Sequence, residues 1–115
     1  MSEEKFGVNS DWLMDVRRIY LAGASRKLAE LERAILGLEM NPASHAHERR
    51  LRQLLHNLIG SGASYGYPAV TETAREMSGC LKRRRDDQSA ADSEILADLR
   101  ALLGNLRRIF SDADA

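Results

Sequence analysis

The chain has 115 residues, the size of one domain with a single core, and its 17 Lys and Arg are balanced by 17 Asp and Glu. That neutral balance argues against duplex nucleic acid as the main partner, although it leaves room for a local basic patch. Cys80, the single cysteine, cannot form an internal disulfide, the polar opening Met1 to Lys5 does not read as a secretory leader, and no apolar run approaches the roughly 18 residues that cross a bilayer. A cytoplasmic protein without membrane contact is expected.

Helix dominates the pattern, in keeping with few aromatic residues and few prolines. After Asn9 and Ser10, either of which suits a helix N-cap, apolar residues recur at Leu13, Val16, Tyr20, Ala24, Leu28, Leu31, Ile35 and Leu38. Steps of three and four predict one face of a long helix, bent near Gly23 and ending by Asn41, where Asn-Pro supplies a turn. Trp12 is expected to anchor this helix against its neighbours.

The second helix carries Leu51, Leu54, Leu55, Leu58 and Gly62 on one side and stops in the turn from Ser64 to Tyr67. Pro68 suits the first position of a third helix, whose stripe is Val70, Ala74, Met77 and Leu81. Lys82 to Arg85 close it, where positive charge complements the helix dipole. Cys80 reads as a small core or boundary residue. A polar linker over residues 86–94 leads to a fourth helix with Ile95, Leu99, Leu102, Leu106 and Ile109 in register. Four amphipathic helices with short connections predict one all-α domain over residues 1–115, an antiparallel four-helix bundle.

His56 lies in the leucine-rich second helix. At about 100° per residue, the core residues of that helix fall within about 60° of Leu51, whereas His56 falls near 140° and faces solvent. Arg49 and Arg52 precede it on the same outer face, and Gly60 and Ala63 follow it. Gly60 costs the helix about 1 kcal/mol relative to alanine. Small residues at the two turns after His56 clear a shallow apron from which a partner surface reaches the imidazole without collision.

The segment from His56 to Gly66, HNLIGSGASYG, resembles the signature of histidine-containing phosphotransfer (HPt) domains of phosphorelays, a His-x-Leu-Lys-Gly pattern followed by small residues and a further glycine. His56, Leu58, Gly60 and Gly66 occupy the marked positions. The resemblance implies an HPt-like four-helix bundle in which His56 accepts a phosphoryl group from, and returns it to, receiver-domain aspartates. The expected partners are response-regulator receivers and a hybrid histidine kinase, and the chain is expected to act as a monomer. It needs no cofactor of its own, because Mg²⁺ and most groups that stabilise the transferring phosphoryl belong to the receiver in that family. The resemblance thus implies a phosphocarrier rather than a stand-alone enzyme, and the opening methionine leads to the expectation of a free-standing shuttle over a piece of a larger signalling protein.

Ile59 departs from the family pattern, where a lysine is common. Either Arg49 or Arg52 then supports the phosphate, or the phosphoryl group stays largely solvated and Ile59 adds apolar contact to a docking surface with Gly60 and Ala63. Gln53, one turn before His56, is a candidate to orient the ring by a hydrogen bond.

His45, His47 and Glu48 do not read as a metal site, since residues two apart lie on nearly opposite sides of a helix. Two rival functions remain. One is a helical interaction or dimerisation module in which His56 is incidental; the other is an RNA-associated adaptor that uses Arg83 to Arg85.

Overall fold

The structure, a computed structural model, describes residues 2–87 and 92–114, with side chains from residue 12 onward. Its elements are α1 (Ser2–Ala22), α2 (Ala24–Met40), α3 (His45–Gly62), a 3-10 turn (Ala63–Tyr65), α4 (Pro68–Asp86) and α5 (Asp92–Asp114). The four helices α2 to α5 form the bundle, in which α2 and α4 each pack on both α3 and α5. Short connections between consecutive helices make neighbours antiparallel.

The core follows the helical stripes. Leu31, Ile35 and Leu38 of α2 meet Leu51 and Leu55 of α3, Val70, Met77 and Leu81 of α4, and Ile95, Leu99, Leu103 and Leu106 of α5, all essentially inaccessible. Each such side chain contributes about 1.5–3 kcal/mol through removal from water. Ion pairs tie the rims: Arg100 of α5 spans Glu32 and Glu39 of α2 at 2.7 and 2.6 Å, and Arg50 of α3 reaches Glu30 of α2 at 2.5 Å.

The bend expected in the first helix falls at Gly23, a one-residue turn between α1 and α2 whose backbone stays right-handed at φ −85°, ψ −4° and whose amide donates to the Tyr20 carbonyl at 3.2 Å. Two other expectations for this helix need correction. Asn9 and Ser10 do not stand at a helix start, because α1 runs through them from Ser2; both residue types carry only a modest penalty inside a helix. Trp12 is 61% exposed and anchors nothing on the bundle, and Leu13 is exposed as well. The cause is geometric. With α2 to α5 already closing the core, Tyr20 and Leu21 are the α1 side chains that pack against it among the described residues. The molecule therefore measures 59 × 23 × 22 Å, longer than the roughly 35 Å of its 23-residue helix α5.

The fourth predicted helix is also adjusted. It starts at Asp92, inside the expected linker, of which residues 88–91 lie outside the described residues. Leu96, Leu103 and Phe110 are buried, while Leu102 and Ile109 are only half-buried. A helix that packs on two neighbours presents a stripe wider than a single i, i+3/i+4 row.

Candidate functional site

Ser44 starts α3. Its hydroxyl accepts from the His47 amide at 3.3 Å and bonds His47 Nδ1 at 2.7 Å, which uses that imidazole as part of the cap. No group of three His, Cys, Asp or Glu side chains among the described residues is arranged to hold a metal ion. The other end of α3 stops because Gly66 takes the left-handed conformation at φ 91°, which favours glycine, and its amide donates to the Ala63 carbonyl at 3.0 Å. Pro68 then occupies the first turn of α4. Thr71 locks the corner: its hydroxyl accepts from the Ala63 amide at 2.8 Å and donates to the Ile59 carbonyl at 3.0 Å.

On the helix so framed, His56 is exposed and its ring makes no hydrogen bond to any described residue. Two shallow grooves meet at it. Arg49, Arg52, Gln53, His56 and Asn57 share the first, which runs back along α3. The second, about 570 Å³, has His56, Gly60 and Ser64 on one side and Tyr20 and Lys27 on the other. A Cβ placed on Gly60 would meet no atom within 4 Å. Nothing in this chain's own packing therefore calls for glycine there.

The sequence-derived candidates separate on this geometry. Arg49 and Arg52 stand beside His56, but Arg52 is held by Glu48 at 2.8 Å, whereas Arg49 makes no ion pair among the described residues. The orienting hydrogen bond from Gln53 to the ring is not made, because both side chains point outward from adjacent turns into water. Ile59 is half-buried and packs against the core, since it faces the seam with α4. Ala63 is exposed, two turns on.

Lys27 went unseen in the sequence. It comes from α2, and no local spacing connects it to His56; only the packing of α2 on α3 brings them to one groove. Its Nζ lies 3.9 Å from the centre of the Tyr20 ring, it is half-buried, and it has no acidic partner among the described residues. Burial, with Arg26 adding to it, holds the ammonium below the usual lysine value. Tyr20 stacks on Tyr65 at 4.5 Å between centroids and shares a 3.0 Å hydrogen bond with Ser61, which makes the groove wall rigid. Burial also pushes the Tyr20 phenol up.

The basic run at the end of α4 divides. Arg84, 10% exposed, pairs with Glu48 at 2.8 Å and Asp92 at 2.9 Å and donates to the Pro42 carbonyl, so it serves the fold. Lys82, Arg83 and Arg85 are exposed, Arg83 pairing with Asp98 at 2.8 Å and Arg85 with Asp86 at 3.3 Å. Cys80 is buried, and that burial raises its thiol value, as suits an inert core residue.

A family model described as Hpt domain matches residues 15–109, most of the chain. Comparisons with the curated proteins and with the solved structures gave no match. No helix among the described residues is long and apolar enough to cross a membrane.

Proposed function

The chain belongs to the Hpt-domain family, and on that premise we propose that it carries phosphoryl groups on His56 between the receiver domains of a phosphorelay. Hpt domains serve histidine phosphotransfer in phosphorelays and interact there with receiver domains. The observation that supports His56 as the carrier is the exposed, unbonded imidazole beside an unobstructed Gly60. A neutral imidazole carries a lone pair on one ring nitrogen and can act as a nucleophile without a dedicated base.

In the forward step the Nε2 lone pair attacks the phosphorus of an aspartyl phosphate. The N–P bond forms as the P–O bond breaks, the aspartate leaves as carboxylate with the electron pair, and the ring proton stays on Nδ1. The reverse step regenerates the imidazole on a second receiver. Mg²⁺ is placed on the receiver, where it neutralises the oxygens in transit. This chain supplies position: a rigid helix, a bare approach at Gly60, and positive charge from Arg49 on the flank. The donor is assigned to a hybrid histidine kinase and the acceptor to a response regulator.

Incubation with radiolabelled phospho-receivers tests the reading. The expected result is acid-labile, base-stable label on the chain, absent in His56→Gln, whose circular dichroism stays unchanged. Label that persists in His56→Gln overturns the assignment, as does a wild type that accepts phosphate from no receiver.

A further inference from the structure

We propose that Lys27 is the cation that binds the phosphoryl group on phosphorylated His56, an inference that rests on the phosphotransfer reading above. Three observations converge on it. Lys27 and His56 line the same groove from two different helices. Its ammonium has no carboxylate partner among the described residues, and in a chain whose charges balance it rests only against the face of Tyr20. It is also half-buried, so its field is less screened than that of a cation standing in water.

The competing cations are placed less well. Arg52 is already held by Glu48 at 2.8 Å, and Arg50 by Glu30 at 2.5 Å. Arg49 makes no ion pair among the described residues but is exposed, where long side chains gain little from an ion pair. Ile59, one turn after His56, offers no charge. A phosphohistidine brings a group of nearly two negative charges to the rim of the groove that holds Lys27. The flexible four-carbon stem lets the ammonium swing from the Tyr20 ring to a phosphoryl oxygen, exchanging a weak cation–π contact for a charge-assisted hydrogen bond. The Tyr20–Tyr65 stack and the Tyr20–Ser61 bond stay in place as the wall behind it.

The test uses phosphoramidate, a small phosphodonor, on the whole chain, and nuclear magnetic resonance of the lysine side chains. On phosphorylation of His56, the Lys27 ammonium is expected to titrate at higher pH and its side-chain resonances to shift, while other lysines stay put. A structural lysine would not respond in this way. In a second arm, label is partitioned between the chain and a receiver. Lys27→Ala is expected to move the partition against phosphohistidine by about fivefold. Lys27→Arg should stay within about twofold of wild type, because the charge is kept.

If the wild type labels normally at His56 but Lys27 shows no phosphorylation-dependent titration and Lys27→Ala partitions as wild type, the inference is wrong and the phosphotransfer reading stands. If His56 takes label from neither phosphoramidate nor any receiver, both fall. Should Lys27→Ala fail to fold, the titration in the wild type still decides.

Discussion

A methyl group on Gly62 would stand 2.7 Å from Thr71 Oγ1 and 2.8 Å from the Thr71 amide nitrogen. The end of α3 and the first turns of α4 can touch in this way only because residue 62 lacks a side chain. That contact lets the Thr71 hydroxyl bridge Ile59 and Ala63, and so sets where the helix that bears His56 stops. Gly62→Ala is therefore expected to destabilise the fold by about 1–3 kcal/mol, the usual cost of overpacking. Urea denaturation should show a lower midpoint at unchanged slope.

Gly60→Ala should act in the opposite direction. Its added methyl meets nothing in the chain, so the helix gains stability, by about 1 kcal/mol. A larger side chain tests the approach instead: Gly60→Met is expected to fold and to take label from phosphoramidate at the wild-type rate. Transfer from a receiver should slow about tenfold, the equivalent of ~1.4 kcal/mol of lost docking. Equal slowing with both donors would show that Gly60 matters for something other than partner access.

Arg100 makes stability fall with acid. Its hydrogen bonds hold the Glu32 and Glu39 carboxyls below their ordinary value of 4.5. The unfolded chain then binds protons more readily than the folded one, so this contribution is complete above about pH 4.5 and is lost as the pH drops through the lower folded values. The network is about a third exposed, and screening limits it to about 1 kcal/mol. Melting curves between pH 3 and 7 should show a steeper acid decline in wild type than in Arg100→Gln.

Arg84→Ala should cost about 2 kcal/mol, because it removes a nearly buried guanidinium that bonds Glu48, Asp92 and the Pro42 carbonyl at once, while Glu48 keeps only Arg52. Arg84→Lys is expected to recover little, since an ammonium cannot reach Glu48, Asp92 and Pro42 with a single fork. Denaturant midpoints of the two variants check this. A lysine variant as stable as wild type would mean that charge alone matters at this position.

Much of the bundle is legible in residue order. The rows Leu28 to Leu38, Leu51 to Leu58 and Val70 to Leu81 were each readable as a buried face, because a helix repeats its faces every three or four residues whatever it later packs against. The outward direction of His56 follows from the same arithmetic, and the turn at Asn41 and Pro68 at the head of α4 follow from the local backbone preferences of asparagine and proline. Trp12 misled because hydrophobicity states a preference for burial without saying whether a surface is available. The Leu102 and Ile109 register was off by one flank for a related reason: a row of apolar residues does not tell how many neighbours a helix has.

The sequence by itself determined that the chain is helical, which faces are apolar, and that an imidazole stands outward one turn before a glycine, since all of these depend on separations of a few residues along one helix. Only the tertiary structure decided that Lys27 shares the groove of His56, that Arg84 is consumed by the corner of Glu48 and Asp92, and that Gly62 rather than Gly60 is the glycine the packing needs. Each of these joins residues from different helices, and such distances are set by how the helices pack together, which no local period encodes.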